Sequence, residues 1–140
     1  MSYDKITVVI NTFKSEDKIH QCLNSIASEV NIIIVENSNN NLFKDELEKK
    51  YTNAKCILAG KNLGYAKGNN LGLSKVKTKY ALILNPDAVL EHDALNRLLL
   101  TAKRFPDFSI IGPAKQDEYS KEDLNLEHEE VFRANSLKGF

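Results

Sequence analysis

The chain has 140 residues, 42% of them hydrophobic and 27% charged, the balance of an ordinary globular protein of one domain. Its 19 Lys and Arg equal its 19 Asp and Glu, so there is no global basic field of the kind that draws a chain onto DNA or RNA, and nucleic acid is not an expected partner. No apolar run approaches the roughly 20 residues that span a bilayer, and Met1-Ser-Tyr-Asp-Lys-Ile6 has no signal-peptide apolar region, so the expected location is cytoplasmic.

Ile6-Thr-Val-Val-Ile10 is a β-branched run of strand length, followed by the polar loop Asn11-Thr-Phe-Lys14. A helix is predicted next: Ser15 suits its N-cap, Glu16 and Asp17 suit the positive end of its dipole, and Ile19, Cys22, Leu23 and Ile26 fall on one face before an end near Ser28. Asn31-Ile-Ile-Ile-Val-Glu36 is a second strand, apolar through its middle as in a parallel sheet covered on both faces, with the loop Asn37-Ser-Asn-Asn-Asn41 behind it. Leu42 to Tyr51 reads as a charged amphipathic helix and Ala54 to Ala59 as a third strand. Gly60 to Gly68 then reads as a loop, with Asn69 to Lys75 as helix body. Tyr80 to Leu84 is an apolar, buried-looking strand that delivers Asn85-Pro86-Asp87 to its carboxyl end, and Pro86 stops it by fixing φ and removing a ladder donor. Glu91 to Arg104 is a helix ended by Phe105-Pro106, and Ser109 to Gly112 a fifth strand. Such alternation predicts an α/β fold, a doubly wound, mainly parallel sheet. After Pro113 the pattern turns acidic and aperiodic, so residues 114–140 are expected to be loop, lone helix or disorder, separate from a domain over residues 1–113.

In a parallel sheet the loops Asn11 to Lys14, Glu36 to Asn41 and Asn85 to Asp87 meet at one edge, where open α/β sheets bind ligands. Amides, carboxylates and hydroxyls there suit the base and ribose of a nucleotide. A divalent Mg²⁺ or Mn²⁺ on Asp87 would supply the counter-charge for its phosphates, since hard cations take oxygen ligands and often only one or two carboxylates. Each residue also has a plain alternative: Glu36 as a solvated carboxylate or the cap of the following helix, Asn37 and Ser38 as a turn, Thr12 and Phe13 as loop packing, Asp87 as an Asx turn, Lys61 and Lys67 as solvated surface. Neither G-x-x-x-x-G-K-[ST] nor G-x-G-x-x-G is present, although Gly60, Gly64, Gly68 and Gly72 imply left-handed turns or close backbone approach. Cys22 and Cys56 lie in apolar segments without Cys-x-x-Cys spacing and read as small buried hydrophobes. His20, His92 and His128 have no nucleophile context.

Four segments in order resemble the family 2 glycosyltransferases of GT-A fold, in their rhamnosyltransferase-like branch. These are Ile6-Thr-Val-Val-Ile-Asn-Thr-Phe13, Ile32-Ile-Ile-Val-Glu-Asn-Ser38, Asn62-Leu-Gly-Tyr-Ala-Lys-Gly-Asn-Asn-Leu-Gly72 and Leu84-Asn-Pro-Asp87. The third is similar to the family's N-x-G-[FY]-A-x-G-x-N-x-G segment, and the fourth to its Asp-x-Asp metal motif in an Asn-Pro-Asp form. The resemblance implies a nucleotide site made by Asn11, Thr12, Phe13, Glu36, Asn37, Asn62, Gly64, Lys67 and Asn70. It also implies contacts to the donor sugar from Asn85 and Asp87, and a Mn²⁺ or Mg²⁺ held by Asp87. Three positions depart from the pattern: Asn11 replaces a proline, Glu36 an aspartate, and Asn85 the first acidic residue of the metal motif, where it can act only as a neutral ligand.

The implied reaction is inverting transfer of a sugar from a UDP- or dTDP-linked donor to a saccharide or lipid-linked acceptor, as in polysaccharide biosynthesis, in the cytoplasm or at the inner face of the membrane. Residues 131–140 resemble the start of the acceptor-side segment, so the chain is expected to be the donor-binding part, with no general base assigned. A non-catalytic nucleotide-sugar module or scaffold and a flavodoxin-like binding domain are the competing readings. Homo-oligomerisation through an unpaired sheet edge is a further expectation.

Overall fold

The structure, a computed structural model, describes residues 3–113 and 129–133. The chain forms two compact units, Met1–Glu91 and His92–Phe140. In the first, β1 (Ile6–Thr12), β2 (Asn31–Glu36), β3 (Ala54–Leu58) and β4 (Tyr80–Leu84) alternate with α1 (Ile19–Asn24), α2 (Asn41–Lys50) and α3 (Gly64–Leu73). The strands are parallel in the order β3-β2-β1-β4, with Val8 opposite both Ile32 and Leu82, and Ile34 opposite Cys56. The α/β, mainly parallel architecture is therefore as expected.

Connection handedness explains the two layers. The chain steps from β1 to β2 to β3 in one direction and returns past β2 and β1 to reach β4, and right-handed crossovers put the return helix on the opposite face from the first two. That return helix is α3. A Cβ on its Gly72 would stand 2.5 Å from Val9 Cγ1 and 3.2 Å from Val35 Cγ2, so α3 lies unusually close over β1 and β2. Val8, Val9, Ile10, Ile34 and Val35 have no exposed surface, and burial of each contributes roughly 1.5 to 3 kcal/mol. The outer strand β3 is guarded by α2, whose Glu48 accepts the Cys56 amide at 2.8 Å and the Lys44 ammonium at 2.8 Å. Both groups hold the Glu48 carboxyl below its usual range.

Several local expectations are corrected. Helix α1 is shorter than residues 15–28, because residues 16–18 form a turn in which the Ser15 carbonyl accepts from Lys18 and Ile19. The Ser15 hydroxyl donates to the Phe13 carbonyl at 3.2 Å, so it does not cap the helix. Helix α2 has an unforeseen cap instead, Asn40, whose Oδ1 accepts from Phe43 N at 3.1 Å. Helix α3 begins at Gly64, five positions before the expected start, and takes in two of the glycines first read as loop. Strand β4 is less buried than its composition suggests: among the described residues it pairs only with β1, and Ile83 is 42% exposed.

In the second unit, α4 (Ala94–Arg104) carries a buried stripe of Leu95, Leu99 and Ala102. The strand expected at 109–112 exists as β5 (Phe108–Pro113), but it pairs antiparallel with β6 (Glu129–Arg133) in a separate two-stranded sheet. The two strands run in opposite directions, the pattern of an antiparallel ladder, in which hydrogen bonds cross perpendicular to the strands. Part of the stretch expected to be loop, lone helix or disorder is thus a strand, in which Val131 and Phe132 carry the β preference that the surrounding glutamates obscure. The remainder of that expectation, and His128, lie outside the described residues. No described helix is long and apolar enough to cross a membrane.

Candidate functional site

The winding of the sheet reverses between β1, which is followed by a step toward β2, and β4, which is reached by the return crossover. The crevice beyond the carboxyl ends of these two strands is where open α/β sheets bind ligands. Two polar loops flank it.

From β1, Thr12 is buried and its hydroxyl donates to the Val35 carbonyl at 3.3 Å, so it ties β1 to β2. Phe13 follows with 48% of its surface exposed, and Lys14 holds a left-handed φ of 51° with its ammonium 5.4 Å from the Phe13 ring centre. A lysine in that region carries backbone strain. The bond from Lys14 N to Ser38 Oγ at 2.9 Å offsets it.

From β4, the chain turns at once: Ala88 N donates to the Asn85 carbonyl at 3.1 Å, with Pro86 at the second turn position, where its fixed φ fits, and Asp87 at the third. Asn85 and Asp87 are exposed, and Asp87 forms no ion pair among the described residues. Beneath this turn the Cys22 thiol approaches the Asn85 carbonyl at 3.5 Å. Burial, with the Asp87 charge adding to it, pushes that thiol up to about 11.

The β2 loop is built differently. Glu36 is 1% exposed, and its two oxygens accept Ser38 N at 2.8 Å and Asn40 N at 2.7 Å, so the carboxylate closes the loop that leads into α2. Asn37, also buried, donates through Nδ2 to Asn11 Oδ1 and to the Thr12 carbonyl at 3.1 Å, while its Oδ1 accepts Leu63 N at 3.0 Å. Asn11 Nδ2 continues the network to the carbonyls of Gly64 at 3.2 Å and Tyr65 at 3.3 Å. Asn62 Oδ1 accepts Gly64 N at 2.9 Å, supporting the left-handed Gly64 at φ 73°. A Cβ on Gly68 would overlap the Asn11 side chain, so the glycine is what lets α3 sit over that amide.

Asn11, Thr12, Glu36, Asn37, Asn62 and Gly64 therefore come together around one hydrogen-bonded junction, and Asn85 and Asp87 lie across the β1–β4 crevice from it. Lys67 and Asn70 lie further along α3, and both are exposed. Asn69, absent from the expected site, is 4% exposed, and its amide meets no partner among the described residues. Cys22 and Ser25 were also missed as supports of the Asp87 loop. Their only sequence signal is a three-residue spacing that any helix shows.

The described residues include no group of three or more His, Cys, Asp and Glu able to hold a metal. A metal at Asp87 would thus rest on one carboxylate, the neutral Asn85 amide, and oxygens brought by the ligand and water. The exposed, unpaired carboxylate on a tight turn fits that role.

This is the architecture of an open α/β nucleotide-type domain with its polar crevice at the switch point. The sequence matches the family model for glycosyl transferase family 2 over residues 7–137, and the chain belongs to that family. Among curated relatives it is 28% identical over 114 residues to the low-salt glycan biosynthesis hexosyltransferase Agl10 of Haloferax volcanii, an alignment covering 79% of this chain and 36% of that one. It is 30% identical over 120 residues to the poly(ribitol-phosphate) beta-N-acetylglucosaminyltransferase TarP of Staphylococcus aureus, covering 77% of this chain and 36% of that one. The chain thus spans just over a third of the length of these relatives. Among solved structures, S. aureus TarS 1-349 in complex with UDP superposes with a TM-score of 0.65 at 21% identity, over 79% of this chain and 35% of that one. A second crystal structure of S. aureus TarS 1-349 superposes with a TM-score of 0.62 at 18% identity, over 92% of this chain and 47% of that one. These likenesses establish a shared fold.

Proposed function

We propose that residues 1–113 form the donor-binding part of a metal-assisted, inverting glycosyltransferase that takes its sugar from a nucleoside diphosphate carrier, UDP- or dTDP-linked. The observation that carries this reading is the exposed, unpaired Asp87 on a turn at the mouth of the switch-point crevice, with the exposed Phe13 on the loop that follows the neighbouring strand β1. Family membership supplies the reaction class, and the TarS complex with UDP supports a nucleotide ligand.

In this reading Phe13 offers an aromatic face to the nucleobase. Asn11, Glu36 and Asn37 hold the loops that shape the crevice, and they reach the nucleotide only through groups their internal bonds leave over. Asn62, Gly64, Lys67 and Asn70 belong to the same proposal as nucleotide contacts, and Asn85 and Asp87 face the diphosphate and sugar. Mn²⁺ or Mg²⁺ on Asp87 would neutralise the departing diphosphate. The acceptor hydroxyl, on a saccharide or lipid-linked molecule, attacks the sugar from the opposite side and gives its proton to a general base that we assign to no residue described here.

We place the reaction in the cytoplasm, or at the inner face of the membrane for a lipid-linked acceptor. In support, both cysteines are free and buried, as a reducing compartment allows. Homo-oligomerisation is part of the proposal, supported by the outer edge of β4, which carries no further strand among the described residues.

Calorimetric titration with UDP, dTDP and GDP, with and without Mn²⁺, tests the reading. Mn²⁺-strengthened binding of one diphosphate that falls at least about tenfold in Asp87→Ala is the expected result. Absence of diphosphate binding, or binding indifferent to both Mn²⁺ and Asp87, refutes it.

A further inference from the structure

The loop that carries Asp87 is gripped at both ends by one turn of α1. At its start the Asn85 carbonyl accepts two donors, Ala88 N at 3.1 Å and the Cys22 thiol at 3.5 Å. At its end Leu90 N donates to Ser25 Oγ at 3.0 Å, and that hydroxyl donates onward to the Cys22 carbonyl at 2.6 Å. Cys22 is buried in the last turn of α1, and Ser25 is its C-cap. The two neighbours thus form a single clamp, with Asp87 in the middle of the clamped segment and exposed.

We propose that Cys22 and Ser25 are positioning residues for Asp87, holding the Asn85–Leu90 loop so that the carboxylate is presented to the cation and diphosphate of the donor. The inference rests on the donor-site reading above. A single carboxylate on an exposed turn leaves a cation few protein oxygens, so the orientation of that turn controls affinity strongly, as outer-sphere partners do at metal sites generally. Of the two contacts the Ser25 bond is the stronger, because a thiol is a weak donor.

The test uses the whole chain, with UDP and Mn²⁺ as probes, and two readouts: UDP affinity with and without Mn²⁺, and hydrogen exchange at the Ala88 and Leu90 amides. Ser25→Ala should weaken Mn²⁺-dependent UDP binding about tenfold, leave UDP binding without metal unchanged, and speed exchange at Leu90. Cys22→Ala should do the same more weakly. Ser25→Thr and Cys22→Ser, which keep a donor, should stay near the parent chain, and thermal melting of each variant separates a misfolded protein from a loosened loop. Unchanged exchange at Ala88 and Leu90, or faster exchange with Mn²⁺-dependent affinity retained, overturns the proposal. If the parent chain binds UDP without regard to Mn²⁺ or Asp87, it is the donor reading that fails. Exchange then decides the clamp alone: acceleration confined to Asn85–Leu90 upholds it and no change refutes it.

Discussion

The loops after β2 and β4 occupy equivalent places at the carboxyl edge of one sheet and have similar polar composition, yet their polar side chains are disposed in opposite ways. After β2, Glu36 and Asn37 are buried and direct their polar atoms inward, to Ser38, Asn40, Thr12, Asn11 and Leu63. After β4, Asn85 and Asp87 are exposed, and the groups holding their loop come from α1. A strand-end carboxylate is thus engaged as scaffold or left open according to whether neighbouring amides have already claimed its oxygens.

The sharpest way to break this comparison is to remove the two carboxylates separately. Glu36→Ala leaves two amides without their acceptor and should lower unfolding free energy by about 3 kcal/mol in urea titration. Asp87→Ala should change it by less than about 0.5 kcal/mol while abolishing the metal-dependent part of diphosphate binding. Equal stability losses in the two variants would erase the distinction. Next in size is Gly72→Ala: its Cβ would press on Val9 and Val35 in a close-packed layer, so a loss of about 2 kcal/mol is expected, read from the same denaturation curves.

A smaller effect concerns Cys56, on the Glu36 side of the sheet. Burial first, then the Glu48 and Glu36 charges, push its thiol up from 9.0 to about 12. The folded state therefore disfavours the thiolate that the unfolded chain forms more readily. Stability from this group is complete below pH 9 and declines as pH rises from there toward 12, a slope that Cys56→Ala should remove from a stability–pH series.

Much of the fold was legible because β1, β2 and β4 are short apolar runs ended by polar loops, and their winding follows from strand alternation. The second unit was less so. Strand β5 needs a partner at 129–133, and no local pattern in a glutamate-rich stretch announces that pairing. The start of α3 was missed because glycine ordinarily weakens helices, whereas Gly68 and Gly72 are there for close approach to the sheet. For the site, the sequence located the loops but not which polar groups are already engaged. That depends on encounters such as Asn37 with Leu63, distant in sequence, which propensity does not encode.

The strand order also sets a timetable. β1 meets β2 through pairs such as Thr7 with Asn31, but its other side waits for Tyr80 to Leu84. Closing the longer loop costs more entropy, so the β1–β4 ladder is expected to be the late step in folding. Until then a central strand of the sheet is an open edge, able to join the wrong partner, and the crevice does not exist. A nascent chain must therefore finish β4 before it can recognise any ligand there, and slow synthesis over residues 37–84 would prolong its exposure to misassembly.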